Sequence, residues 1–140
     1  ILDIKEPFLM IDSFEFNTKS KEAKAFKFIE KNDWFFNCHL PSEKVMPATL
    51  IVEGMLQTLV LLIYKCENHK SKKSFIYEIN SKIFSSITSS DKEICYDASL
   101  ISSSRGIFKG RVNVFANEVK KAQGSFSYAS PHLMIRPKSN

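Results

Sequence analysis

One carboxylate in this 140-residue chain stands among residues that avoid water. Glu53 lies inside ATLIVEGMLQTLVLLIY, residues 48–64, the longest apolar run of the sequence. An ionised carboxylate in a core is costly unless it keeps its proton, finds partners or lines a polar pocket. Gln57 follows four residues later, within side-chain reach if the run is helical. Two readings stay open at this point. Glu53 occupies one exposed sliver of the helix, or it is a buried carboxyl held ready for proton transfer. Cys38-His39 and Cys66-x-x-His69 supply ligand types for a metal. No repeated CxxC or HxxxH accompanies them, so no metal is expected. Three widely spaced cysteines are an odd number. They argue against a disulfide framework and for a reducing compartment, the cytoplasm.

The elements that would carry Glu53 follow from periodicity. Pro47 suits a first helical turn, where a missing N–H costs nothing. The run after it is apolar on nearly every face, which marks a helix enclosed by protein or lipid. A membrane span needs about 20 apolar residues. This run is shorter and interrupted by Glu53 and Gln57, so a helix from about 48 to 64 enclosed by protein is expected, without a membrane span. Residues 7–16 read as an apolar lead-in to a strand, and residues 23–30 alternate as a half-buried strand does. A polar, Lys-rich turn covers 65–74. From Phe75 the strand pattern returns in FIYEI, EICYDASLI, FKGRVNVFA and KAQGSFSYA, with turns at Ser103–Gly106 and Asn117–Glu118. The expected fold is α+β: five to seven antiparallel strands wrapped around one long central helix, in a single domain over 1–140. The basic segment 131–140 reads as a peripheral tail.

Composition narrows the function. With four glycines and no GxGxxG or GxxxxGKS, a phosphate-cradling loop is excluded. Twenty Lys and Arg against fifteen Asp and Glu give a net charge of +5. The basic residues are scattered and bring no nucleic-acid motif with them, so the charge serves solubility or an acidic protein partner. No secretory signal is visible, although the chain starts at Ile1.

The stretch WFFNCHLPSEKVMPATLIVEGMLQ, residues 34–57, resembles the (3R)-hydroxyacyl-acyl carrier protein dehydratases, the hot-dog-fold family with FabZ and FabA branches. The family pattern is two aromatics, a turn, His-Phe, Val-Met-Pro-Gly, then an apolar helix with an acid and a Gln one turn on. Here these are Phe35-Phe36, His39, Val45-Met46-Pro47, Glu53 and Gln57, with Glu53 fourteen residues after His39 as in the family. Pro7-Phe8-Leu9-Met10-Ile11-Asp12 and Arg105-Gly106-Ile107-Phe108-Lys109 resemble the family's N-terminal segment and a late strand. Glu53 and Pro41 fit the FabZ branch, whereas Trp34-Phe35-Phe36 and Cys38 look more like the FabA branch. The chain departs from the pattern at Leu40, Ser42 and Ala48, and Ser85–Asp91 replaces an Arg-rich, Pro-Gly-containing segment.

The resemblance implies dehydration of (3R)-hydroxyacyl thioesters to trans-2-enoyl thioesters, in fatty-acid or related polyketide-type biosynthesis. His39 would be the base, Glu53 the acid and Gln57 its supporting residue. The backbone N–H of Ala48 would hold the thioester oxygen. No cofactor would be needed beyond the phosphopantetheine arm of an acyl carrier protein, the acidic partner that the +5 charge suits. Arg105, Lys109 and Arg111 are docking candidates, or simply a solvated strand face. The family also implies a homodimer, with trimers of dimers in the FabZ branch, and active sites that take His39 from one chain and Glu53 from the other. Rival readings are a hot-dog acyl thioesterase and a non-catalytic acyl-thioester binding module, the latter favoured by Ala48 and Ser42.

Overall fold

The structure, a computed structural model, describes residues 9–38, 44–67 and 75–130. Six strands form one antiparallel sheet: β1 (Ser13–Asn17), β2 (Glu22–Phe28), β3 (Phe75–Ile83), β4 (Glu93–Ser104), β5 (Ile107–Ala116) and β6 (Val119–Ala129). Their order is β1-β2-β4-β5-β6-β3, so the chain leaves the sheet after β2 and returns at the opposite edge with β3. Two helices fill that excursion, α1 (Trp34–Cys38) and α2 (Ala48–Cys66). The strand count falls within the sequence expectation, and α2 runs two residues past it.

Alternation sets the inner face. Ala23, Ala25, Ile94, Tyr96, Ala98, Phe108, Val112, Val114, Ala122, Phe126 and Tyr128 are buried at every second position of their strands. Both expected hairpin turns form. Asn117 and Glu118 take φ 50° and 63°, and Arg105 and Gly106 take φ 52° and 81°. A left-handed pair of residues is what a two-residue loop needs to match the twist of its strands.

Helix α2 packs across β2, β4, β5 and β6, while edge strands β1 and β3 lie beyond it. It is long and apolar enough to cross a membrane by length and composition. Yet Leu50, Ile51, Met55, Leu59, Leu62 and Ile63 are buried in the core. Each such side chain contributes about 1.5–3 kcal/mol when fully buried. Enclosure is not complete. Val52, Glu53, Leu56, Val60 and Tyr64 form a half-buried stripe at helical spacing. The short helix α1 has no periodic signal in five residues. It forms because Phe35 and Phe36 are driven into the core, at 1% and 0% exposure.

Close approach of helix to sheet rests on Gly54. A Cβ there would run into the Tyr96 ring, which fills the space under the helix. The fit has a cost, because the Tyr96 hydroxyl is buried and has no hydrogen-bond partner among the described residues. A buried polar group left unmade costs about 1–3 kcal/mol. Tyr96→Phe should therefore raise stability by about 1 kcal/mol or more, read as a higher urea midpoint. Burial, and secondarily the charge of Asp12, push the Tyr96 hydroxyl above its ordinary range. Burial, and secondarily Glu53, do the same to Tyr128. Both groups resist ionisation in the folded state only. Their contribution is present below about pH 10 and is lost as pH rises beyond it. Tyr96→Phe should flatten that alkaline fall, and an unchanged slope would show the loss to lie elsewhere.

Candidate active site

The site is built on the half-buried stripe of α2. Pro47, with φ −56° and ψ 134°, ends the extended approach and α2 starts at Ala48. The approach is tethered: Met46 N–H donates to the Ile87 carbonyl at 2.8 Å, and Val45 bridges Thr88. The 87–91 turn is fixed in its own right by Asp91. This buried carboxylate accepts from the Thr88 backbone N–H at 2.9 Å and from Asn117 Nδ2 at 2.8 Å. The Ser-rich segment that departs from the family pattern thus becomes a buttress for the helix start.

In the first turn, the N–H groups of Leu50 and Ile51 donate to the Pro47 carbonyl at 3.0 and 3.3 Å. The N–H groups of Ala48 and Thr49 precede any intrahelical acceptor, and both residues are exposed. Among the described residues, no side chain caps this end. Free amide hydrogens and the positive end of the helix dipole together favour a developing negative charge.

Glu53 is half-buried on the stripe. Its Oε2 accepts a hydrogen bond from Gln57 Nε2 at 2.8 Å. Gln57 is 1% exposed, and its Oε1 accepts from the Met10 backbone N–H at 2.8 Å. The N-terminal segment therefore orients Gln57, and Gln57 orients Glu53. The Glu53 carboxylate is thus tied on its C-terminal side, to the residue one turn on. Of the residues singled out in the sequence, the structure brings Glu53 and Gln57 into contact and puts Ala48 about 7.5 Å along the helix axis from Glu53. His39 and Ser42 lie outside the described residues, as do His69 and His132.

A small pocket of about 150 Å³ opens at Glu53, bounded by Leu56, Gln57, Val60 and Tyr128. Sequence reasoning missed Tyr128. Its hydroxyl donates to the Leu56 carbonyl at 3.2 Å, and its only signal was an aromatic on the inner face of the last strand. Larger hollows, about 470 Å³ beside Glu15, Lys24 and Asp97 and about 270 Å³ beside Lys82 and Arg111, lie on the outer sheet face, away from α2. Lys109 and Arg111 are exposed on that outer face, in keeping with a solvated strand surface. The described residues hold no cluster of His, Cys, Asp and Glu able to bind a metal ion.

The arrangement sets an oriented carboxyl beside a small, mainly apolar pocket, downstream of a helix N-terminus with free amides. A profile of the FabA-like domain matches residues 3–124. The chain is also 30% identical over 130 residues to the 3-hydroxyacyl-acyl-carrier-protein dehydratase FabZ of Clostridium kluyveri, spanning 91% of this chain and 89% of that one. The chain belongs to the 3-hydroxyacyl-acyl carrier protein dehydratase family. The FabZ of Fusobacterium nucleatum is 28% identical over 123 residues, 87% of this chain and 86% of its own. Solved structures agree on the hot-dog fold. The TT0310 protein of Thermus thermophilus superposes with a TM-score of 0.66 at 12% identity, over 90% of this chain and 98% of that one. A candidate thioesterase related to phenylacetic acid degradation, from Ralstonia eutropha, gives 0.68 at 7% identity, over 82% and 80%.

Within this dehydratase-family chain, Gln57 carries a measurable load. Gln57→Met keeps the bulk and removes both bonds, which leaves the Met10 N–H without its side-chain acceptor. Stability should fall by about 1–3 kcal/mol in urea unfolding. No loss would mean that the N-terminal segment does not hold Gln57.

Proposed function

We propose that this chain dehydrates (3R)-hydroxyacyl thioesters carried on an acyl carrier protein, giving trans-2-enoyl thioesters and water. The observation that carries the reading is Glu53, oriented by Gln57 on a half-buried stripe of a largely buried helix. Glu53 gives a proton to the C3 hydroxyl, which leaves as water. His39 takes the proton from C2, and an imidazole titrates near neutrality, so it can accept one at working pH. The electron pair of the broken C–H bond forms the double bond as the C–O bond breaks. Charge passes through the thioester oxygen on the way, and the Ala48 N–H and the helix dipole are suited to hold it. Proton exchange with water resets the two residues.

The minimal unit in this reading is a homodimer in the cytoplasm. Strand β3 is a sheet edge, and Phe75, Tyr77 and Ile79 on it are 58%, 56% and 52% exposed. A long apolar edge of this kind is a template for pairing with another strand. A second copy added there would extend the sheet and bring new surface over the exposed side of α2. His39 of that copy is then the base for this copy's Glu53. An acidic carrier protein suits the +5 charge of each chain.

Turnover of a 3-hydroxyacyl N-acetylcysteamine thioester tests the reading. Enoyl absorbance is expected, whereas release of free thiol would mean a thioesterase and binding without turnover a non-catalytic module. Glu53→Gln keeps the shape and the Gln57 contact but loses the transferable proton. Its kcat should fall by about 10²–10⁴-fold with unchanged unfolding behaviour. A fall of only a few-fold would make Glu53 structural.

A further inference from the structure

The turn that receives the start of α2 is closed by one buried carboxylate. Asp91 is 5% exposed. Its Oδ2 accepts from the Thr88 N–H at 2.9 Å and its Oδ1 from Asn117 Nδ2 at 2.8 Å. The Asp91 N–H donates in return to the Thr88 carbonyl at 3.1 Å, so residues 88 and 91 are tied twice. Ile87, next to this turn, is fully buried, and its carbonyl accepts the Met46 N–H at 2.8 Å. Two residues beyond Met46 stands Ala48, exposed at the first position of α2. At the other end of the chain of contacts, Asn117 sits in the β5–β6 hairpin loop with φ 50°. Glycine would serve that backbone as well, so the loop itself does not require an amide side chain. The amide goes to Asp91 instead. Three hydrogen bonds thus join a hairpin tip to a helix start far from it in sequence.

We propose that Asp91 and Asn117 are positioning residues for the reaction: acting through the 87–91 turn, they hold the Ala48 N–H where it meets the charge that develops on the thioester oxygen. Neither residue touches substrate. The inference rests on the proposed function for what the Ala48 amide does, and on the hydrogen bonds alone for what holds it. A donor that stabilises a transition state has to be in place beforehand, and a displacement of about 1 Å can cost about a hundredfold in rate. A carboxylate suits position 91 because it offers one acceptor to each donor. An Asn there would present one oxygen and one NH₂, so either Thr88 N–H or Asn117 Nδ2 would always face a donor.

Two variants and a double-mutant cycle test this. Asp91→Asn breaks the carboxylate's pair of bonds. Asn117→Gly keeps the hairpin backbone and removes only the amide, and it stands in if Asp91→Asn does not fold. Hydrogen exchange of the Met46 amide should speed up in both variants while the amides of the β4–β5 ladder keep their protection. With a 3-hydroxyacyl N-acetylcysteamine thioester, kcat should fall by about 10- to 100-fold and KM should change little, as expected for a contact made in the transition state. Ala48→Pro removes the amide hydrogen at a helix position that accepts proline, and Pro47 at ψ 134° already has the extended backbone that precedes one. In that background Asp91→Asn or Asn117→Gly should cost little further kcat, because the group they position is gone. Losses that multiply in full would overturn the proposal, since the two residues would then act on stability or on another group. Met46 exchange unchanged in both variants would overturn it as well. Faster Met46 exchange in the variants, with no enoyl product from the wild-type protein, would reject the dehydratase reading and leave the anchoring of the helix start by Asp91 and Asn117 standing.

Discussion

Everything in this molecule depends on burying one helix that carries a carboxylate at its middle. An apolar helix of this length has no stable existence in water, and the six-stranded sheet exists to cover it. The cover is one-sided. The sheet takes Leu50, Ile51, Met55, Leu59, Leu62 and Ile63, and leaves the stripe through Val52, Glu53, Leu56 and Val60 only half-buried. Glu53 can stay on such a helix because it lies on that stripe and has Gln57 to bond. The same placement makes it available for chemistry.

Two buried hydrogen-bond systems then hold the ends of the site. Gln57 is locked by the Met10 backbone, which ties the N-terminal segment to the acid. Asp91 locks the turn that receives Met46, which fixes where α2 begins and where its free amides lie. Gln57 itself lines the pocket, and Asp91 does not. Their separate anchoring means that the two polar ends of the site are set by different parts of the chain. Tyr128 adds a third point, from the last strand.

Much of this was legible in the residues. Alternation marked the strands, Asn117-Glu118 and Arg105-Gly106 marked the hairpins, and Pro47 marked the helix start. Glu53 was visible as an anomaly because charge inside an apolar run has few explanations. Its position lies between the two readings left open for it: it is half-buried and bonded to Gln57. Other features left no local trace. α1 is too short to show a period and forms from tertiary burial of Phe35 and Phe36. The partnership of Gly54 with Tyr96 joins positions far apart in sequence, which no spacing rule connects. Asp91 read only as part of a polar turn, since its value lies in reaching Asn117 across the fold. Tyr128 looked like any core aromatic, and only the position of its hydroxyl distinguishes it.

The central claim is that an active site is complete only when Glu53 of one chain meets His39 of another. Co-expression of His39→Ala and Glu53→Gln chains in equal amounts, with different tags, tests it most directly. Random pairing gives mixed dimers as about half of the population, and two-fold symmetry places both lesions in one of their two sites. The account predicts that about a quarter of wild-type activity returns, all of it in the fraction carrying both tags. Mixed dimers that form and show no activity would contradict it, because every site would then draw both residues from a single chain.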